Sequence, residues 1–523
     1  MLNNLELWLE EETKSSKDFY IQLKKTKKFN LDIFGTTHSD PAHFIPELIQ
    51  NADDKNANEA YFNFDTQKSI INFGHNGKNF SKNDILNIVS FGHTEKSTKI
   101  DKIGKFGTGF KSVYKVCDKP EIACKLEGEN NQSTFIKFAI ENKIIPVRQN
   151  NININSTKEF QSFATNFFFK LKNAEILTRE NFITFIKTNG SKILLFLPNI
   201  RKLIFKIDDQ KFSFRRHDED KRDNLKICTI YADDNSNKEK FNYYRFSKKI
   251  SIEDYEGESE LVLAYCFNDK KFVIEKNKCL NVFFSTLEHT GYSFLIHGPF
   301  FLDESRNHID KANKKNLIIS EKFEEFIVET IEILKEEKIL NISFFKLLPS
   351  ENDIRYLSNI FPKIKDYLNS AEIWPTDLKT YEFKDNVIYG NEKFRNCFSS
   401  EDLQLINIPY KWLEHSNEPN QILYDYLGVK IFDGSFVEDI FEDDYKPNKF
   451  LATRSDTQLA QLYLLFLEEK NEYGDVLCKY KNIFKSKDGQ FYKGRDLKFS
   501  EKNQIHVGIN YIHPTFLDNK KFK

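Results

Sequence analysis

Apolar positions fall in two alternating rhythms over the first two thirds of the chain. Short runs at Ala60–Phe64, Ser69–Phe73, Glu121–Lys125, Ser133–Ile140 and Lys192–Leu197 are dense in Phe, Ile and Leu, as buried strands are. Between them lie segments with helical spacing, such as Pro41–Asp54, where Leu48, Ile49 and Ala52 share one face. The alternation over 36–205 predicts an α/β (α+β) sandwich, a mixed sheet with helices on one face. A second series, Leu203–Ile207, Leu225–Tyr231, Leu261–Phe267, Asn281–Phe284 and Ser293–His297, precedes a helix over Glu321–Glu336, whose stripe is Phe323, Phe326, Ile327, Ile331 and Leu334. These predict a second α/β domain over 206–345. Residues 1–35 carry two short amphipathic helical patterns, an N-terminal extension, and the charged Asp208–Asp223 reads as a surface hairpin or insertion. Residues 346–523 form a mixed, mainly helical C-terminal region of unknown role, with helical patterns at Glu351–Asn369 and Gln458–Glu472 and strand-like Val387–Tyr389 and Gln490–Tyr492. It shows no repeat, and its Trp374 and Trp412 read as core.

Two segments add chemistry to this pattern. Gly104, Gly107 and Gly109 precede a run from Phe110 to Val116 without a helix breaker. Glycine allows successive N–H groups to converge on an anion, and a following helix would add its own N-terminal donors. Upstream, Glu47 and Asn51 lie one helical turn apart. Beside a nucleotide, such a carboxylate can deprotonate water while the carboxamide oxygen ligates Mg²⁺.

In order and spacing, these segments resemble the GHKL ATPases, the superfamily of the ninety-kilodalton heat-shock chaperones, DNA gyrase B, MutL-type repair proteins and histidine kinases. Glu47-Leu-Ile-Gln-Asn51 resembles their N-box, Gly74–Asp84 stands at the first glycine box, and Gly104–Val116 is similar to the second. Asn189–Leu197 resembles the last nucleotide element, a Gly-Thr pair opening a buried strand, with Ser191 supplying the hydroxyl. Phe300–Asn307 resembles the catalytic loop of the chaperone middle domain, which makes Arg306 the candidate for the γ-phosphate.

The resemblance implies a Bergerat-type fold over 36–205, a lid within Ser90–Ile103, and a transducer-like middle domain over 206–345. It implies ATP and Mg²⁺ as cofactors, Glu47 and Arg306 as catalytic residues, and Asn51 as metal ligand. Nucleotide contacts carry over to Asn51, Asp54, His75, Gly77, Lys105, Phe106, Gly107, Thr108, Gly109, Phe110 and Ser191. One position departs from the family: His75 stands where an aspartate receives the adenine amino group, and a neutral imidazole has one acceptor nitrogen. The His-Asn-Gly variant, the Ile103–Val113 box and Phe294–Phe300 are similar to the sacsin-type branch. The implied activity is slow ATP hydrolysis driving lid and domain closure. The alternatives are a subunit of a nucleic-acid maintenance or antiviral-defence system, or a nucleotide-sensing pseudo-ATPase.

Composition narrows the partners. Net charge is −1, and the basic runs Lys24–Lys28, Arg215-Arg216 and Lys311–Lys315 are short, so nothing in the linear sequence forms a basic stripe. A protein client or partner subunit, with homodimerisation by family analogy, is expected ahead of nucleic acid. The seven cysteines, scattered without a metal-ligand spacing, read as reduced thiols of a cytoplasmic protein. No apolar run approaches membrane-spanning length.

Overall fold

The computed structural model describes residues 4–26, 41–90, 110–127, 133–149, 158–253, 257–276, 278–303, 307–349, 355, 357, 361–415, 427–442, 445–468, 481–498, 512–513 and 516. The chain divides into two compact units, Met1–Ile327 with Asp353–Ile360, and Val328–Asn352 with Phe361–Lys523. The fold is mixed α/β.

In the first unit the helices are α1 (Asn4–Thr26), α2 (Phe44–Asp54), α3 (Lys82–Val89), α4 (Lys158–Gln161), α5 (Arg179–Phe196) and the start of α6 (Lys315–Glu336). The strands are β1 (Glu59–Asp65), β2 (Ile70–His75), β3 (Glu121–Glu127), β4 (Ser133–Glu141), β5 (Ile145–Arg148), β6 (Thr165–Lys170), β7 (Lys202–Ile207), β8 (Gln210–Arg222), β9 (Leu225–Asp233) and β10 (Lys238–Ile250). They continue as β11 (Ser259–Asn268), β12 (Lys271–Phe272), β13 (Cys279–Val282), β14 (Phe284–His289) and β15 (Leu295–His297). All join one sheet in the order β14-β13-β15-β11-β10-β9-β8-β7-β1-β2-β6-β3-β4-β5, with β12 on β11. The join is β7, parallel to β1 and antiparallel to β8, so the strands on either side of residue 205 are hydrogen-bonded into a single layer.

One face of the sheet carries the main core. Phe62 stacks on Phe205 there and packs at a tilt against Phe73, Phe182 of α5 meets Phe62 edge-on, and Phe44 of α2 meets Phe169 of β6. Local signals start the helices: Ser81 and Asp84 form a capping box on α3, and the Thr178 hydroxyl caps α5. At the other end of α5, Arg216 donates to the carbonyls of Leu194 and Leu197, and Arg245 to that of Leu195 at 2.9 Å. These cations from β8 and β10 satisfy carbonyls that the last turn leaves open.

Several expectations need correction. Residues 4–26 are one helix, tied to β5 by an Arg148–Glu6 ion pair of 2.6 Å. The Asp208–Asp223 stretch is a hairpin and no insertion: β8 pairs antiparallel with β7 and β9 and turns Phe212, Phe214 and Arg216 inward. Lys192–Leu197 is no strand: through Phe196 it is the end of α5. Gly190 opens no strand either. A Cβ there would lie 2.4 Å from the Phe214 ring, so the glycine serves close helix–sheet packing.

The second unit buries Trp374 and Trp412 as core. It also contains a repeat that the sequence does not display. Strands Trp374–Pro375 and Tyr381–Glu382 with a 3₁₀ turn at Lys384–Asn386 recur as Phe484–Lys485, Phe491–Tyr492 and Gly494–Asp496. Their hydrogen bonds match: Thr376 N to Thr380 O with Ser486 N to Gln490 O, and Leu413 N to Ile388 O with Ile512 N to Lys498 O. The repeat escapes sequence reading because only backbone pattern and size survive, as in Ile373-Trp374 against Ile483-Phe484. The expected helix at Glu351–Asn369 is described only from Phe361, as α7 (Phe361–Ser370). Among the described residues no helix is long and apolar enough to cross a membrane.

Candidate functional site

Helix α2 carries two stripes. Phe44, Ile45, Leu48, Ile49 and Ala52 are buried in the core. His43, Glu47, Gln50, Asn51 and Asp54 recur at spacings of three and four, forming a polar stripe. Glu47 is only 5% exposed, with His43 Nε2 3.9 Å from its carboxylate. Gln50 is also buried, and its Oε1 has no hydrogen-bond partner among the described residues. Asn51 and Asp54 are partly exposed, and the Asn51 carboxamide makes no hydrogen bond there. One amide oxygen beside a carboxylate fits a Mg²⁺ whose other ligands are phosphate and water. Among the described residues no cluster of three or more His, Cys, Asp or Glu offers a metal a complete protein cage.

The C-terminal end of α2 is fixed by the neighbouring residue. Asp53 accepts from the backbone N–H of Asn199 at 2.9 Å and of Ile200 at 2.8 Å. Burial raises its carboxyl above the ordinary value, outweighing those donors. Asp53 is therefore a structural clamp, while Asp54 lies on the polar stripe.

The turn His75-Asn76-Gly77 abuts this end of the helix. Lys78 N donates to Lys55 O at 2.7 Å, and Asn76 Oδ1 accepts from the backbone N–H of Asn58 and Glu59. A Cβ at Gly77 would sit 2.8 Å from Lys55 O, so the close approach requires glycine. His75 is buried at the end of β2, and burial, with Lys55 adding to it, holds its imidazole down to about 3. The ring is neutral, and its Nδ1 accepts from Gly77 N at 3.2 Å. The single acceptor nitrogen is thus engaged, leaving Nε2–H as a donor. With that nitrogen engaged, His75 offers a base a donor rather than the acceptor that the resemblance implies.

Thr165 is the residue that sequence reading missed. It heads β6 directly opposite His75 in the antiparallel register, so both side chains share one face. It is fully buried, and its Oγ1 has no hydrogen-bond partner among the described residues. Few buried hydroxyls are left so. The signal in sequence is Ala-Thr opening the strand Thr165–Lys170, one residue away from the Gly-Thr pair expected of the last nucleotide element. Ser191, assigned to that element, lies instead inside α5, which packs on Pro41–His43, β7, β8, β9 and β14.

Lys105, Phe106, Gly107, Thr108 and Gly109, together with the expected lid after Ser90, lie outside the described residues, as does Arg306. Phe110 is buried and begins a 3₁₀ segment, Phe110–Lys115, that packs against α2. Over the described residues of this run the geometry is 3₁₀, where a helix was expected. Lys111 is buried, and burial lowers its ammonium to about 7. It donates to Ile88 O at the end of α3 and to Lys143 O at 3.2 Å, anchoring this segment. On either side of 304–306, the Asn316 carboxamide accepts from Phe301 N and donates to Phe301 O, both at 2.9 Å, and Asp303 accepts from Asn307 N.

Comparison with known proteins gives the same region a context. The Sacsin domain family model matches residues 33–178, which include α2, the His75 turn and Thr165 but neither Ser191 nor Arg306. Over 93 residues, 14% of this chain and 2% of the relative, the chain is 39% identical to human Sacsin. Over 321 residues, 56% of this chain and 11% of the relative, it is 24% identical to Protein NO VEIN of Arabidopsis thaliana. The chain thus spans a small fraction of either relative, and the sacsin-type resemblance rests on this segment.

Proposed function

We propose that the chain binds ATP·Mg²⁺ and hydrolyses it slowly, using nucleotide state to drive lid and domain closure in a sacsin-type, chaperone-like module. The observation that carries this reading is the polar stripe of α2 ending at the turn that holds His75, whose cross-strand partner Thr165 has a buried hydroxyl without a partner among the described residues. Glu47 orients and deprotonates the attacking water; Asn51 supplies an amide oxygen to the metal, which when bound neutralises phosphate charge. Thr165 and the His75 Nε2–H face the base, the latter as donor to a ring nitrogen. Arg306 meets the γ-phosphate, and the glycine segment before Phe110 cradles the phosphates. The domain division at residues 205 and 345, a protein client and homodimerisation remain part of this reading.

The test is ATP binding by calorimetry and phosphate release, wild type beside Glu47→Gln. Binding should persist in Glu47→Gln while turnover falls by about 10²–10⁴. Unchanged turnover removes Glu47 as base, and a wild type that binds no ATP with Mg²⁺ present overturns the proposal.

A further inference from the structure

The outer face of the sheet, opposite α5, gathers charges that the linear sequence keeps apart. Cross-strand register aligns Lys202 of β7, Arg215 of β8, Tyr231 of β9 and Lys240 of β10 in one row. The row crosses three strand spacings, roughly 14 Å. Beside it, Lys206 faces Lys211 directly. Lys202 is paired with Glu59, and Lys238 lies 4.0 Å from Asp233. The side chains of Lys206, Lys211, Arg215 and Lys240 have no ion-pair or hydrogen-bond partner among the described residues. Tyr231 stands between Arg215 and Lys240, 48% exposed and without a ring contact among the described residues. A groove of about 730 Å³ runs here, lined by Lys211, Ser213, Arg215, His217, Tyr231 and Asp233.

Like charges directly opposite on adjacent strands destabilise a sheet, yet two pairs occur here, Lys202 with Arg215 and Lys206 with Lys211. Glu59 already neutralises Lys202 in the first pair; an anion lying along the groove would relieve the second at Lys211. A bare aromatic ring among the cations adds a second requirement, a flat partner for stacking. Phosphate charge and an accessible base coincide in an unpaired strand, whereas a duplex keeps its bases stacked internally. We propose that this face binds single-stranded nucleic acid, with the backbone on Lys211, Arg215 and Lys240 and a base on Tyr231. The proposal is independent of the nucleotide site, and its test contains no ATP.

Fluorescence anisotropy of the full chain with a labelled oligothymidylate, against a duplex of equal length and heparin, decides it. The single strand should bind more tightly than the duplex, with affinity falling from 50 to 200 mM salt. Tyr231→Ala should weaken single-strand binding roughly tenfold, the loss of one stacked base, and leave heparin unaffected. Arg215→Glu with Lys240→Glu should abolish binding. All three positions are exposed, so circular dichroism should be unchanged, and Lys211→Glu gives a separate check should the double variant disturb folding. No binding by the wild type, duplex binding equal to single strand, or no effect of Tyr231→Ala would each overturn the proposal.

Discussion

Thr165 shows what a single residue can carry when its neighbours cross the sheet. Its hydroxyl is buried and unmatched, a state that costs free energy in the nucleotide-free protein. Thr165→Val keeps the shape and removes that cost, so thermal stability should hold or rise while ATP affinity falls severalfold. Calorimetry beside a melting curve checks this, and unchanged affinity would remove Thr165 from the site. Glu47 and Asn51 were legible in sequence because one helical turn is a local relation. Thr165 was not, because its link to His75 spans the register of β2 and β6. The Gly77 N–H that occupies the His75 acceptor was likewise hidden, since it depends on how the turn folds back.

At the scale of elements, α5 is where local reading failed. Asn189-Gly190-Ser191 followed by an apolar run satisfies a strand pattern as well as a buried helix, and periodicity alone does not separate them. Packing decides: the Phe214 ring lies over Gly190, and arginines from β8 and β10 bind the helix's last carbonyls. Gly190→Ala sets two effects against each other. Alanine gains about 1 kcal/mol of helix propensity. Forcing a methyl into the Phe214 ring costs about 1–3 kcal/mol, and with a contact of 2.4 Å overpacking should win. The urea midpoint should therefore fall in Gly190→Ala and recover when Phe214→Leu is added. A stabilised single variant would show that the ring has room to move.

Across the whole molecule, buried neutral histidines set the response to acid. His75 is held down to about 3 and His297 to about 4, both chiefly by burial, against an ordinary value of 6.5. Between those values the unfolded chain binds protons that the folded chain refuses. Their contribution is complete above about pH 6.5 and is lost as pH falls toward 4 and then 3. Denaturant midpoints measured from pH 7 to 4.5 should decline, and His75→Gln should flatten part of that slope. An unchanged slope would mean that His75 is protonated in the folded state. The other molecule-wide feature is the basic face, which no run of sequence contains. Net charge of −1 conceals it because its cations come from three strands, β7, β8 and β10, whose register alone brings them together.

The sequence by itself determined the α/β class, most strands and the polar face of α2, because periodicity acts over a few residues. Only the tertiary structure decided that one sheet runs through residue 205, that Lys192–Phe196 is helical, that His75 and Thr165 meet, that a module recurs at 374 and 484, and that scattered cations form a face. Each of these depends on strand register and packing between residues far apart in the chain, which no local pattern encodes.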